Sequence, residues 1–219
     1  PKRNTVVSML KQVLQEHPDF LGLWTCWEQD AFDGKDDTFA GSTNHDQTGR
    51  FIPYVYRSNG QVSVAPLEDY SKSGAGEYYL KAKRENHPVV LEPFTYEVDG
   101  KDILMTTITV PIKLQGRFVG AVGVDLELGA LAKIVDDIDM KGKTFLSVLS
   151  QEGRYIVHKN SSLQGKMATD EHSWMQNYVD KLKNARPFTV INKSDIVDEK
   201  VYRVARPFFI GETGTAWTV

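Results

Sequence analysis

Residues 111–125 read PIKLQGRFVGAVGVD, and the fold turns on them. Gln115-Gly116 is a two-residue turn signal, since glycine enters positive φ at no steric cost. Upstream, Ile103 to Ile112 alternates as a strand. Leu104, Thr106, Ile108, Val110 and Ile112 share one face, and Met105, Thr107 and Thr109 the other. Downstream, Phe118 to Leu128 is the returning strand. A second turn signal, Asp99-Gly100, places Phe94 to Val98 before this pair. Three strands joined by tight turns make an antiparallel meander, not a βαβ unit. Asp125 stands near the end of the last strand. Its neighbours on the same face, Ala121 and Gly123, are small and leave room beside a carboxylate.

Working outward, residues 4–17 carry Val6, Val7, Leu10, Val13 and Leu14 on a helical period, with Asn4 as N-cap and Pro18 past the end. Phe20 to Glu28 alternates next. Leu21, Leu23, Thr25 and Trp27 fall on one face, and Gly22, Trp24, Cys26 and Glu28 on the other. Gln29 to Thr48 is a polar loop. Phe51 to Tyr56 is a strand whose Pro53 marks it as an edge or irregular segment. Glu77 to Glu85 is a short helix after a glycine-containing loop. Gly129 to Asp137 is another helix. A second strand group follows. Thr144 to Ser150 and Arg154 to His158 flank a turn, residues 170–184 are helical, and Phe188 to Asn192, Val201 to Phe209 and Ala216 onward are strands. The expected organisation is an N-terminal helix (residues 1–19), a first sheet module (20–140) and a second (141–219).

The 219 residues are 41% hydrophobic and 25% charged, with a net charge of −3, as in an ordinary globular chain. That charge and the absence of binding motifs point away from nucleic acid. Cys26 is the only cysteine, so no intrachain disulfide forms. No apolar run approaches the roughly eighteen residues of a membrane span. The terminal GTAWTV reads like the start of a strand, so the sequence is expected to be a piece of a longer protein.

Several stretches together resemble the double Cache sensor domains of bacterial chemoreceptors and related transmembrane sensors. They are FLGLWTCWE (20–28), NHDQTGRFIPY (44–54), GAGEYY (74–79), LEPFTY (91–96), the stretch 111–125 and GRYIVH (153–158). The resemblance implies an α+β fold with a long N-terminal helix and two PAS-like antiparallel-sheet modules. It also implies a ligand in the first, membrane-distal module. The domain would lie outside the cytoplasm, on the periplasmic or extracellular side of the inner membrane. Membrane segments would flank it, in a homodimeric receptor. Amino-acid-binding members place an Arg on the ligand carboxylate and an Asp on its ammonium. Here Tyr78-Tyr79 occupy the family's Trp-Tyr position, Tyr96 a later aromatic one and Asp125 the Asp. Gly76 stands where the Arg would be, which removes the bidentate carboxylate anchor.

Asp125 is therefore expected to hold a nitrogen-bearing ligand, through a charge-assisted bond of about 1.5–3 kcal/mol. Its plainer role is to cap the helix that follows. Trp27, Tyr54, Tyr56, Tyr78, Tyr79 and Tyr96 are candidates for an aromatic wall, with core packing as the alternative for each. Glu28 is a candidate second acidic anchor, or a solvated strand end. Arg57 is expected at the surface, with contact to a carbonyl or anion as the alternative. Asp30, Asp33, Asp36 and Asp37 lack EF-hand spacing, and the histidines lack metal-site spacing, so no metal or cofactor is expected. No nucleophile elbow, P-loop or Cys–His pattern marks an enzyme. The expected function is non-catalytic sensing of a small molecule, an amine or quaternary ammonium first and a purine or amino acid as alternatives. An interaction module that reads a partner binding protein is the rival class.

Overall fold

A computed structural model describes residues 2–98, 100–136, 144–194, 196–197 and 199–219. The chain divides into two compact units. The first comprises Pro1–Leu91, Glu97–Ile103 and Thr107–Glu127, and the second Glu92–Tyr96, Leu104–Thr106 and Leu128–Val219. The division expected near Lys141 falls outside the described residues.

The first unit starts with α1 (Arg3–Glu16), β1 (Gly22–Trp27), the short helix α2 (Asp36–Phe39), β2 (Pro53–Ser58), β3 (Gln61–Pro66), α3 (Glu77–Glu85) and β4 (Val89–Val90). The chain continues through β5 (Phe94–Val98), β6 (Lys101–Leu114) and β7 (Arg117–Glu127), of which residues 94–96 and 104–106 group with the second unit. These strands form one sheet in the order β3-β2-β1-β7-β6-β4, with β5 paired to β6. The meander is present as expected. Gln115 and Gly116 join β6 to β7 with φ of 52° and 78°, the double positive φ of a type I′ turn.

β1 is the centre of this sheet, antiparallel to both neighbours. Gly22 faces Tyr56 on one side and Asp125 on the other, and Trp24 faces Tyr54 and Gly123. Because side chains alternate, each strand serves two faces. Leu23, Val55 and Val124 point to α1, whose Leu14 is fully buried against them, with Val7 and Leu10 beside it. Burying one such leucine stabilises by about 1.5–3 kcal/mol. Trp24, Tyr54 and Ala121 point the other way and pack against Tyr78 and Tyr79 of α3.

Several local expectations change. Asn4 does not cap α1. The helix begins at Arg3, Lys2 holds the cap position, and no side chain caps it. The guanidinium of Arg3 is instead buried. It donates to Asp33 Oδ1 and Oδ2 at 2.8 and 3.0 Å, to Asp36 Oδ1 at 2.6 Å and to Gly49 O at 2.7 Å. Of the four loop acids weighed for calcium, Asp33 and Asp36 hold this buried arginine, and Asp36 and its neighbours form α2. Arg57 is not a bystander at the surface. It donates to the carbonyls of Phe20, Leu14 and His17 and satisfies the open end of α1. β2 is an interior strand despite Pro53, which is its first residue and lies opposite Pro66. β3 is a strand where none was expected. Asn59-Gly60, with φ of 48° and 78°, turns the chain into it. Leu128 opens the helix after β7 and does not end the strand.

The second unit contains α4 (Leu128–Asp136), β8 (Val148–Leu149), β9 (Tyr155–Val157), α5 (Ala168–Glu171), α6 (Val179–Lys183), β10 (Phe188–Lys193), β11 (Lys200–Ala205), β12 (Pro207–Phe209) and β13 (Ala216–Thr218). β12-β13-β8-β9 form one sheet and β10-β11 a two-stranded ribbon. The core joins Tyr155, Met175, Leu182, Phe188 and Ala205. The architecture is the expected α+β fold, an N-terminal helix followed by antiparallel sheets.

Candidate ligand site

The site lies on the face of the first sheet opposite α1. Asp125 is 6% exposed. Its Oδ1 accepts a hydrogen bond from Thr107 Oγ1 at 2.7 Å and from Trp24 Nε1 at 3.3 Å. Burial pushes the carboxyl up to about 6, and the donors Thr107, Trp24 and Tyr54 pull it back down. No cation stands among the groups that set this value. A carboxylate taken out of water with neutral donors alone is costly, and an unsatisfied charge is what a cationic partner would relieve.

Two glycines make this geometry possible. A Cβ on Gly123 would lie 2.2 Å from the Trp24 ring, and one on Gly22 would lie 2.4 Å from the Tyr54 ring. Without side chains there, both rings lie flat across the sheet next to Asp125. Tyr54 stacks on half-buried Tyr56 at 4.9 Å, and Tyr78 meets Trp24 edge-on at 5.2 Å. Thr109 Oγ1 donates to Tyr78 O at 2.8 Å and fixes α3 to β6. On β6, then, it is the threonine face that is buried, while Val110 on the more apolar face is 42% exposed.

Of the expected site residues, Asp125, Tyr54, Tyr56 and Tyr78 come together here. Tyr79 lies farther along the same face, where its hydroxyl donates to Glu28. Glu28 also receives Lys83 Nζ at 2.9 Å and lies 3.6 Å from Arg50 Nη2. Burial would raise the Glu28 carboxyl, but Tyr79, Lys83 and Arg50 outweigh it and leave it lowered. Glu28 is therefore already neutralised by two cations, which leaves no free charge for a second ligand amine. Trp27 is on the α1 face, away from Asp125, edge-on to Phe32 at 5.0 Å. Its indole nitrogen is buried without a partner. Tyr96, on β5, groups with the second unit.

The sequence reading passed over Trp24 and Thr107, the two direct partners of Asp125, and Arg50. Arg50 donates to Trp27 O at 2.7 Å and to the Tyr79 hydroxyl at 3.3 Å, with its guanidinium 4.7 Å from the Tyr70 ring. The Gly76 substitution runs deeper than a missing side chain. A Cβ there would lie 2.4 Å from Asp69 O and 2.8 Å from Lys72 O, so the preceding loop fills the place the family's arginine would need.

The first unit is thus a sheet with a helix on one face and a buried, aromatic-framed acid on the other. Residues 6–133 match the model of the first PDC sensor domain of methyl-accepting chemotaxis protein-like proteins. That is more than half of the chain, and the chain belongs to this family. It is similar to the methyl-accepting chemotaxis protein TlpQ of Pseudomonas aeruginosa, at 27% identity over 180 residues, 75% of this chain and 25% of that protein. It is also similar to PscA of Pseudomonas syringae pv. tomato, at 32% over 95 residues, 43% of this chain and 15% of that protein. The chain thus spans a quarter or less of these relatives. Among solved structures it is similar to the extracellular domain of mmHK1S-Z3, assigned as a histidine kinase. There the identity is 28% and the TM-score 0.85, over 99% of this chain and 78% of that one. The methyl-accepting chemotaxis protein X gives 26% and 0.81, over 100% and 80%. The chain is a sensor domain of the methyl-accepting chemotaxis protein-like type.

Proposed function

We propose that the chain is the ligand-sensing part of a transmembrane chemoreceptor, on the periplasmic or extracellular side of the inner membrane, and that its first module (residues 20–140) takes a small cationic nitrogen compound at Asp125. One observation carries this reading: a buried carboxylate supported by Thr107, Trp24 and Tyr54, with no cation against it among the described residues. An ammonium would supply that charge, and the rings of Trp24, Tyr54 and Tyr56 would add cation–π attraction of up to about 2 kcal/mol when desolvated. The same fold occurs in PctC of Pseudomonas aeruginosa in complex with GABA, at 16% identity and a TM-score of 0.59. That likeness is one of fold, and the choice of ligand here rests on Asp125. The enclosed Gly76 counts against a ligand that needs a carboxylate anchor at that position.

The sheet itself supplies a route for the signal. Trp24, Tyr54 and Asp125 alternate along their strands with Leu23, Val55 and Val124, which hold α1. A ligand that draws the site residues together shifts the same strands under α1, and Arg57 ties that helix's terminal carbonyls to β2. The ligand biases whichever strand arrangement it binds better, and α1 reports the bias.

Calorimetric titration with choline, putrescine, histamine, adenine and the amino acids, on the wild type and on Asp125→Asn, tests the reading. An amine is expected to bind the wild type and to lose affinity at least a hundredfold in the variant. Equal binding to both proteins would remove Asp125 as the anchor. Heat from adenine alone would move the ligand to the heterocycle class.

A further inference from the structure

Asp125 is closed in, and a ligand that is to reach it needs a way through its cover. That cover includes α3. Tyr78, Tyr79 and Ala82 of α3 are buried, and Tyr78 lies edge-on to Trp24, whose indole nitrogen donates to Asp125. Cys26 belongs to the same cover. It is fully buried, in one cluster with Trp24, Tyr78 and Tyr79.

The helix has the build of an element that lifts as a unit. It is nine residues long, too short to hold its shape without a seat to pack on. The chain passes through left-handed positions on both sides of it. Asp69 and Gly74 precede it with φ of 57° and 84°, and Asn86 follows it with φ of 55°. Residues 71–75 are exposed, and a Cβ on Gly74 would meet nothing within 4 Å. Polar contacts fasten the helix to two strands. Thr109 Oγ1, on β6, donates to Tyr78 O at 2.8 Å. Just past the end of β1, Glu28 accepts from the Tyr79 hydroxyl and, with both oxygens, from Lys83 Nζ at 2.9 Å. The side chains of Lys83 and Glu28 are 45% and 31% exposed, so water competes for that contact. Arg50, at the end of another loop, lies 3.6 Å from the same carboxylate.

We propose that α3, with the loop from Glu68 to Gly76, is a gate over Asp125, latched at Glu28, and that a ligand enters when it lifts. This rests on the reading of Asp125 as the ligand's anchor. The gate itself can be followed without any ligand, because lifting it uncovers Cys26, the only cysteine of the chain. While the gate is shut, burial raises the thiol far above its usual range and keeps it unreactive.

The test is alkylation of Cys26 by iodoacetamide in the 219-residue chain, at rising urea, read by mass spectrometry. At low urea the rate is expected to be flat, the mark of a local opening, and to climb only where the fold is lost as a whole. Glu28→Gln and Thr109→Val should each raise the flat rate about fivefold or more. Whichever of choline, putrescine and histamine binds in calorimetry should lower it about tenfold at saturation. A wild-type rate that follows global unfolding at every urea concentration overturns the gate, whether or not the variants fold. So does a bound amine that leaves the rate unchanged, or a folded variant of either kind that does. A rise with Glu28→Gln alone would place the opening in the loop that carries Arg50. A flat rate in a protein that binds no amine keeps the gate and removes the Asp125 reading. An amine that binds while alkylation follows global unfolding keeps that reading and removes the gate.

Discussion

In the first unit Asp125 is 6% exposed, and aromatic rings close against it; in the second, Arg203 stands in a cleft of about 540 Å3. The first region encloses its charge among rings, and the second leaves an open cleft. The difference shows that the two properties of a site are built by different means. The charge at Asp125 follows from one residue at one strand position. Its enclosure follows from Gly22 and Gly123, which let Tyr54 and Trp24 lie across the sheet. The open cleft is assembled from separate strands and helical turns between Thr144 and Val219. A buried unpaired charge names its ligand's sign, whereas an open cleft states size and leaves the sign to its lining.

The strongest blow to the first unit alone is predicted for Arg3→Ala. That change leaves Asp33 and Asp36 without their buried partner and should cost about 3–5 kcal/mol. In a denaturant titration the unfolding of this unit should move to lower denaturant while that of the second unit stays in place. Loss of both together would mean that the units unfold as one.

Asp125→Asn tests the enclosed charge next. Amine binding should fall at least a hundredfold, yet the unliganded protein should become more stable at neutral pH, because the buried charge is gone. The sign follows from the raised carboxyl. Between about pH 4 and pH 6 the folded protein keeps a proton that the unfolded chain has lost. Stability therefore falls across that window, by about 3 kcal/mol for a shift of this size, and levels off above it. Thermal melts of wild type and variant from pH 4 to 8 check this. Parallel pH profiles would show that Asp125 does not titrate as described.

Gly123→Ala sharpens the enclosure argument. Its methyl would collide with the Trp24 ring, at a cost of about 1–3 kcal/mol, and should weaken amine binding roughly tenfold by moving the indole off Asp125. Unchanged indole fluorescence and affinity would mean the ring has room to yield. The smallest effect is that of pH on affinity. Between pH 7 and pH 6, as the carboxyl begins to protonate, amine binding should weaken about twofold.

Much of the fold was legible in the sequence, because strand alternation and turn chemistry are local. The meander from Phe94 to Glu127 rests on such signals. β3 escaped only because Asn59-Gly60 went unread, although it is as strong a turn signal as Gln115-Gly116. Asp125 was nominated from its small neighbours on one face together with the family resemblance. Trp24 and Thr107 were not, because alternation gives a residue's face but not its neighbour across strands. That neighbour depends on β1 lying between β2 and β7, which brings residues 22, 56 and 125 into one row. Trp27 was legible as a residue of the opposite face, and its nomination followed its chemistry against its position. The cleft had no sequence signal, since its lining is spread over about seventy-five residues of chain.

The enclosure of Gly76 also bears on how such a chain can change over generations. With Asp69 O and Lys72 O already where a side chain would begin, a single codon change to arginine meets an obstacle before it confers any new preference. The loop would have to retreat first, and that step brings no reward of its own. A descendant that answers to carboxylates in this module is therefore reached through two ordered events, or through a guanidinium recruited from elsewhere, and the proposed preference for amines would be held in place by history as well as by chemistry.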